Sequence, residues 1–287
     1  MNPISKGFVV CLGSHLPKRW IRSIADFPGV RRLLLFLFKT KRAQIVTPDG
    51  SHLSINPIFH SNLLAANAIS VYEPEVSRAL SALAQPGMAC YDIGANIGIF
   101  SFLLARCVGK EGKVYAFEPE ITNYACLRES LKQNAVENLV IETVAVANCS
   151  GMAPFDHRGG AFSGRLIDDT SQYTATCNIE MVKTITLDDY VFQGRGRVPH
   201  VIKIDVEGNE LSVLEGMTGL LTSHSPVVLC EVHKHLNDPL RRIVPFLRDC
   251  GYSLFPIESA FVENESQFPE LETLDHHTRF LARKVQS

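Results

Sequence analysis

The sequence predicts an α/β protein built around a doubly wound, mostly parallel sheet. From residue 70 onward, short apolar runs alternate with longer amphipathic segments, as in repeated strand–helix–strand units. The candidate strands are 88–93, 113–117, 140–147, 200–205 and 227–232. Apolar residues at helical spacing predict helices at Phe100–Val108, Asn123–Gln133 and 209–221. We therefore expect residues 70–287 to form a Rossmann-like core.

The chain before this core has a different character. Residues 1–42 mix basic and apolar residues without a sustained period, which predicts a short helical extension. Its apolar run Leu33–Phe38 is too short to span a bilayer, which takes about 18 residues; we expect a buried helix, with weak peripheral membrane contact as the alternative. Two β-prone runs around Pro48-Asp49-Gly50 predict a hairpin at 43–56, at the start of the main domain, which covers 43–287.

Composition narrows the class of protein. The 287 residues are 46% hydrophobic and 20% charged, with a formal net charge of −2, so the chain can bury a full core and nucleic acid is not an expected partner. The eight cysteines include no CxxC pair, and several lie in apolar runs. We expect a reducing, cytoplasmic setting.

The stretch Asp92-Ile-Gly-Ala-Asn-Ile-Gly-Ile-Phe100 has the context of a nucleotide-binding loop. A strand runs into Gly94, and a helix follows, whose N-terminal N–H groups are free to meet a ligand. Asn96 stands where a dinucleotide fingerprint needs its second glycine, and the Asp92 carboxylate would repel phosphate but attract an ammonium group. The loop therefore disfavours NAD and similar dinucleotides.

A second acidic residue indicates what the loop binds instead. Glu118 ends the next predicted strand, about 20 residues after Gly98, where a carboxylate can accept hydrogen bonds from ribose hydroxyls. A ligand with a free ribose, no phosphate and a cationic amino group matches both carboxylates. S-adenosylmethionine has these features.

Together, several ordered motifs resemble the FkbM family of S-adenosylmethionine-dependent methyltransferases. The resemblance covers roughly residues 43–284. Its motifs are Asp92-Ile-Gly-Ala-Asn-Ile-Gly98, Ala116-Phe-Glu-Pro119, Lys203-Ile-Asp-Val-Glu-Gly208 with Glu210, and Glu231-Val-His233, with the supporting pieces Val71-Tyr-Glu-Pro74, Thr186-Leu-Asp-Asp-Tyr190 and Leu214-Glu-Gly216. In the first of these pieces, Tyr72 and Glu73 either border the donor or simply start a helix.

The resemblance implies a class I methyltransferase fold with a seven-stranded sheet and the donor at its carboxyl edge. It also implies a role for individual positions. The methionine part of the donor would lie along the loop, the ribose on one carboxylate and the adenine in a pocket closed by the turn 145–148. The residues implied for the methionine part are Asp92, Gly94, Ala95, Asn96 and Gly98. Glu118 would bind the ribose, Pro119 and Val146 would contact the adenine, and Asp205 would also lie beside the donor.

Charged residues at the ends of two further strands suggest where the chemistry occurs. Lys203, Asp205 and Glu207 alternate with apolar residues, and Glu231 and His233 also lie two apart, so each set shares a face. If the strands are neighbours, Lys203, Asp205, Glu231 and His233 converge at the donor's methyl group. We expect His233 or Asp205 to act as the base and Glu231 to pair with Lys203. The alternative is a buried ion-pair network that only holds the strands together.

These residues predict a methyltransferase that acts on a hydroxyl oxygen of a sugar, polyketide or related metabolite. This small-molecule or glycan acceptor is taken from the family resemblance, and a nitrogen acceptor is left open. The alternative is a catalytically inactive donor-binding protein with an interaction or regulatory role. The carboxylates and histidine could hold a divalent metal, but their spacing is not specific and no metal is expected. The polar, glycine-containing insertion 151–178 is either an acceptor-recognition segment or a region without a role in binding, namely a mobile surface loop or an added hairpin.

Overall fold

A computed structural model describes residues 42–57, 60, 63, 72–157, 164–167, 179–233, 240–261, 270–271 and 279–284. Its strands are β1 (Ala43–Val46), β2 (His52–Ile55), β3 (Ala89–Ile93), β4 (Lys113–Phe117), β5 (Leu139–Glu142), β6 (Ala145–Val146), β7 (Gly151–Asp156), β8 (Arg165–Leu166), β9 (Ile179–Ile185), β10 (Val201–Ile204), β11 (Val227–Glu231), β12 (Ser253–Pro256) and β13 (Arg279–Arg283). Its helices are α1 (Pro74–Leu83), α2 (Ile99–Val108), α3 (Ile121–Gln133), α4 (Leu187–Phe192), α5 (Glu210–Glu215), α6 (Thr218–Ser223) and α7 (Leu240–Asp249), followed by a 3₁₀ turn at Ile257–Ala260.

The central sheet has seven strands in the order β12-β13-β11-β10-β3-β4-β5. Strands β5, β4, β3, β10 and β11 are parallel, whereas β13 runs antiparallel to both of its neighbours. Successive strands are added outward from β3 on one side and from β10 on the other. The direction of winding therefore reverses between β3 and β10, and ligands bind at such a point in open α/β sheets. The predicted doubly wound, mostly parallel seven-stranded fold is confirmed.

Helices cover both faces of this sheet because alternate strand residues point to opposite sides. Tyr91 and Tyr115 belong to one buried cluster, with apolar residues of α4, α5, α6 and α7. Cys90 and Val114, their neighbours along the chain, belong to the other cluster, with α1, α2 and α3. Every residue of β3 is buried, as expected for a central strand with helices on both faces.

The predicted N-terminal hairpin is confirmed. Strands β1 and β2 pair antiparallel, with Val46 opposite His52. The hairpin is fixed to α3, because the Ser54 N–H donates to Ser130 Oγ at 2.8 Å and the His52 N–H donates to Asn134 Oδ1 at 2.9 Å. The predicted helical extension, including Leu33–Phe38, lies outside the described residues.

Two predicted elements differ in the structure. The strand predicted at 140–147 is two strands, because β5 pairs with β4 in the central sheet whereas β6 pairs with β9 in a separate four-stranded sheet. The helix predicted at 209–221 is two short helices, α5 and α6. The break follows Gly216, where a Cβ atom would lie 2.0 Å from the Ala147 carbonyl oxygen, so this close approach requires glycine.

The described part of the insertion 151–178 joins the four-stranded sheet, whose order is β6-β9-β7-β8. Strand β7 pairs antiparallel with both β8 and β9, so the insertion contains an added hairpin, as one of the alternatives predicted. In the part of the chain that the structure describes, no helix has the length and apolar character needed to cross a membrane.

Candidate active site

An open cleft lies at the carboxyl edge of the central sheet. It contains about 1110 Å³ of empty space, including space open to solvent. Ten of the twelve predicted site residues line it: Gly94, Ala95, Asn96, Glu118, Pro119, Val146, Lys203, Asp205, Glu231 and His233. The other two, Asp92 and Gly98, do not line the cleft, and their direct contact with a donor stays a prediction.

The glycine loop after β3 is shaped by close backbone packing. Gly94 has φ +77, and a Cβ atom there would lie 1.9 Å from the Asp205 carbonyl oxygen. Glycine is therefore required where the loop after β3 meets the loop after β10. Asn96 also has a positive φ, 52°, which asparagine adopts more readily than most residues. Asparagine thus meets a backbone requirement of this loop.

Gly98 has a structural role at the start of α2. Its φ is +92, and a Cβ atom there would lie 2.2 Å from Leu127 Cδ1. Because Leu127 belongs to α3, this glycine allows α2 and α3 to pack closely behind the loop. It supports the cleft without lining it.

The carboxylate of Glu118 holds the loop from the end of β4. Its Oε2 accepts a hydrogen bond from the Asn96 N–H, and its Oε1 accepts one from the Glu120 N–H, both at 2.8 Å. The side chain is 5% exposed, and burial raises its pKa to about 8, although these two backbone donors oppose the shift. Each carboxylate oxygen can accept a further hydrogen bond. The group is thus placed to meet hydroxyl groups of a ligand in the cleft.

One side of the cleft is largely apolar and includes the insertion. Its lining here consists of Phe117, Pro119, Val144, Ala145, Val146, Phe155, Gly164, Arg165 and Leu166. The insertion is anchored by His157, whose ring nitrogens lie 3.7 Å from a Glu120 oxygen and 3.5 Å from a Glu180 oxygen. The insertion therefore borders the cleft, and its role in acceptor recognition stays a prediction.

Lys203 is a buried cation at the centre of the carboxyl edge. Its register on β10 places it beside Asp92 of β3, and its Nζ lies 3.5 Å from Asp92 Oδ1 and 3.2 Å from Asp205 Oδ2. The same Nζ lies 5.0 Å from the centre of the Phe100 ring. Burial alone would lower the pKa of Lys203, but Asp205, Asp92 and Glu73 outweigh burial and hold it above its usual value.

Asp92 is turned away from the cleft by these contacts. It is fully buried, and its Oδ2 accepts a hydrogen bond from Ser101 Oγ at 2.6 Å. Its negative charge is matched by Lys203. The ammonium-binding role expected of this carboxylate therefore has no support in the geometry.

His233 is surrounded by four carboxylates. Its Nδ1 lies 3.0 Å from Glu210 Oε1, and its Nε2 lies 3.7, 3.8 and 3.9 Å from oxygens of Glu207, Asp205 and Glu231. Burial would lower the pKa of the imidazole, but the Glu210 hydrogen bond and the charges of Glu207 and Asp205 raise it to about 9. The ring is therefore a cation at neutral pH, contrary to the near-neutral titration expected of a histidine base.

Glu231 has a different partner from the one predicted. The pairing of Glu231 with Lys203 is wrong, because Arg279 lies directly opposite Glu231 in the β11–β13 ladder. Arg279 Nε and Nη2 donate to the two oxygens of Glu231 at 2.7 and 3.2 Å. Arg279 Nη2 also lies 3.4 Å from Glu73 Oε1. The positive charge that balances Glu231 thus comes from β13, a strand that none of the sequence motifs includes.

Three of these side chains have a spacing that suits a metal ion. One ligand atom each from Asp205, Glu207 and His233 lies within 4.8 Å of the others. The strand β10 ends at Ile204, so the first two belong to the following loop, where Glu207 has φ 55. In the described structure, Lys203 and the His233 imidazolium already supply positive charge to Asp205.

The motif Thr186-Leu-Asp-Asp-Tyr190 has a structural role. Thr186 caps α4 by accepting a hydrogen bond from the Asp189 N–H. Asp188 accepts hydrogen bonds from the N–H groups of Gly219 and Leu220, at the start of α6. This segment fixes two helices on one face of the sheet and does not reach the cleft.

The sequence motifs did not indicate three charged residues that line the cleft or contact its lining: Glu120, Arg165 and Arg279. Glu120 had a recognisable signal, since it caps α3 by accepting a hydrogen bond from the Asn123 N–H three residues later. Arg165 lies in a segment singled out only for its irregular composition. Arg279 had no local signal, because its position depends on how β13 enters the sheet.

Comparisons with known proteins identify the family of this chain. The family model of the methyltransferase FkbM domain matches residues 92–254, more than half of the chain. AglP of Haloferax volcanii, named a hexuronic acid methyltransferase, is 30% identical over 161 residues, which are 56% of this chain and 62% of AglP. FkbM of Streptomyces tacrolimicus, named a 31-O-demethyl-FK506 methyltransferase, is 26% identical over 197 residues, which are 59% of this chain and 74% of that relative.

Other relatives match over shorter or more distant alignments. A protein-L-isoaspartate O-methyltransferase of Aeropyrum pernix is 33% identical over 138 residues, 45% of this chain and 49% of that relative. The chain thus spans less than two thirds of this relative and of AglP. The solved structure of methyltransferase FkbM from Methylobacillus flagellatus has a TM-score of 0.45 and 16% identity, covering 91% of this chain and 60% of that one.

The cleft suits the methyl donor of this family. It combines an apolar wall for a base, the buried Glu118 carboxylate for a ribose and a charged end for an amino-acid group. A buried carboxylate oxygen of Glu73 at that charged end has no hydrogen-bond partner among the described residues. With the family model matched over all four principal motifs, the chain belongs to the FkbM family of S-adenosylmethionine-dependent methyltransferases.

Proposed function

We propose that the protein transfers a methyl group from S-adenosylmethionine to a hydroxyl oxygen of a sugar, a polyketide or a related metabolite. The observation that carries this proposal is the position of Asp205 between two cations, in the cleft that contains the glycine loop. Its two oxygens lie 3.2 Å from Lys203 Nζ and 3.8 Å from His233 Nε2. A proton acceptor therefore lies beside the expected donor site.

S-adenosylmethionine supplies an electrophilic methyl group, and the residues of this chain align the acceptor and remove its proton. The hydroxyl oxygen forms a bond to the methyl carbon, the carbon–sulfur bond breaks with its electron pair going to sulfur, and the hydroxyl proton goes to Asp205. Lys203 and the His233 imidazolium hold this carboxylate in place. Because His233 is already protonated at neutral pH, we favour Asp205 as the base.

The acceptor class is supported by the relatives and by one side chain of the insertion. The names of AglP and FkbM refer to methylation of a hexuronic acid and of 31-O-demethyl-FK506. Arg165 lines the cleft, and its guanidinium makes no ion pair or hydrogen bond with the other described residues. A guanidinium of this kind suits the carboxylate of a sugar acid. We therefore place uronic acids and their glycosides first among acceptors to test.

The experiment offers radiolabelled S-adenosylmethionine to the protein with a panel of uronic acids, neutral sugars and polyketides. We expect label in a hydroxyl-bearing acceptor, and a loss of turnover of about 100-fold or more in Asp205→Asn. Asp249→Asn, which changes an exposed carboxylate at the end of α7, is the matched control. Donor binding without transfer to any acceptor would favour the catalytically inactive donor-binding protein.

A further inference from the structure

Glu73 presents an unpaired carboxylate oxygen at the charged end of the cleft. This residue immediately precedes α1 and lines the cleft beside Tyr72 and Lys203. Its Oε1 lies 3.4 Å from Arg279 Nη2. Its Oε2 is buried and has no hydrogen-bond partner among the described residues. Buried carboxylate oxygens in proteins nearly always accept a hydrogen bond, so we expect a ligand to supply a hydrogen-bond donor at this position.

The backbone holds Glu73 in an uncommon conformation. Its φ of 42° and ψ of 61° are left-handed, which is rare for a residue other than glycine, and its side chain makes no capping hydrogen bond to α1. The side chain therefore lines the cleft and contacts Arg279 and does not cap the helix. Burial first, and then the nearby charge of Glu231, raise the pKa of Glu73, so the ionised carboxylate is disfavoured unless further positive charge, such as a bound ammonium group, lies beside it.

The order of strands determines which end of the donor reaches this point. Glu118 follows β4, Asp205 follows β10 and Glu231 ends β11, so these carboxylates are spread along the edge in the strand order β4-β3-β10-β11. Neighbouring strands are about 4.8 Å apart. A donor with its ribose at Glu118 can extend its amino-acid end only toward β10 and β11, where Glu73 meets the cleft.

We propose that Glu73 binds the α-ammonium group of the donor's amino-acid end, with Arg279 as a positioning residue. The inference rests on the proposed use of S-adenosylmethionine. It transfers to Glu73 the role that the sequence suggested for Asp92, whose carboxylate is fully buried against Ser101 and Lys203. Glu73 precedes residues 92–254, so it lies outside the part of the chain that the family model matches.

The test compares two ligands that differ only at the amino-acid end. Isothermal titration calorimetry measures the affinities of S-adenosylhomocysteine and of 5′-methylthioadenosine, which lacks the ammonium and carboxylate groups. The proteins are wild type, Glu73→Gln and the matched control Glu75→Gln, whose residue lies on α1 but does not line the cleft. We expect Glu73→Gln to weaken S-adenosylhomocysteine about tenfold to a hundredfold and to leave 5′-methylthioadenosine unchanged.

Other outcomes overturn the inference in distinguishable ways. An equal loss for both ligands in Glu73→Gln would show that the residue only supports the fold of the cleft. A loss below about twofold for S-adenosylhomocysteine would show that the ammonium binds elsewhere. If wild type binds neither ligand, the proposed function fails and the inference fails with it. Unchanged 5′-methylthioadenosine binding by Glu73→Gln also demonstrates that the variant is folded.

Discussion

Replacing Glu118 with alanine tests the ribose assignment most directly. The change removes a carboxylate that accepts hydrogen bonds from Asn96 and Glu120 and leaves the ribose hydroxyls without their proposed acceptor. An unpaired polar group of this kind costs about 1–3 kcal/mol, which corresponds to roughly fivefold to 150-fold weaker donor binding. Glutamine is a poor substitute, because its amide nitrogen would face one of the two backbone N–H groups.

The assay measures binding of S-adenosylhomocysteine and of its 2′,3′-dideoxyribose analogue by calorimetry. Wild type should bind the analogue more weakly, whereas Glu118→Ala should no longer distinguish the two ligands. Burial raises the pKa of Glu118 to about 8, so the affinity of wild type should also rise with pH through that value as the carboxylate ionises. Unchanged affinity in the variant, or an undiminished preference for the ribose hydroxyls, would refute the assignment.

Three further predictions concern the loop, the histidine and metal dependence. Gly94→Ala should lose donor affinity and at least about 2 kcal/mol of stability, measured by urea unfolding, whereas Gly87→Ala, also at positive φ but with no atom within 4 Å, should lose less. Because the pKa of His233 is raised from 6.5 to about 9, its stabilising contribution is complete below pH 6.5 and disappears as the pH rises through 9. The gap in unfolding free energy between wild type and His233→Gln, at most about 3 kcal/mol, should therefore shrink between pH 6 and pH 10, and a constant gap would contradict the assigned charge. Turnover should survive dialysis against EDTA; loss of turnover that Mg²⁺ or Mn²⁺ restores would instead make Asp205, Glu207 and His233 a metal site.

Local patterns in the sequence were sufficient to predict much of the carboxyl edge. The strands 88–93 and 113–117 were found within one residue of β3 and β4, since buried parallel strands leave continuous apolar runs. The same use of apolar runs did not predict strand boundaries that depend on pairing with a distant segment of the chain. The segment 140–147 is mostly apolar, and only the pairing of its second part with β9 divides it between two sheets.

The sequence by itself determined which chemical groups meet in the cleft, because parallel strands end at one edge and bring the residues after them together. Gly94, Glu118, Asp205 and His233 follow from that rule. The tertiary structure decided which charges pair and which remain available. Arg279 reaches Glu231 only because β13 enters the sheet antiparallel to β11, and this leaves Lys203 to Asp92 and Asp205. Burial and distance, which no local pattern contains, then set the charge of His233 and leave one oxygen of Glu73 without a hydrogen-bond partner among the residues that the structure describes.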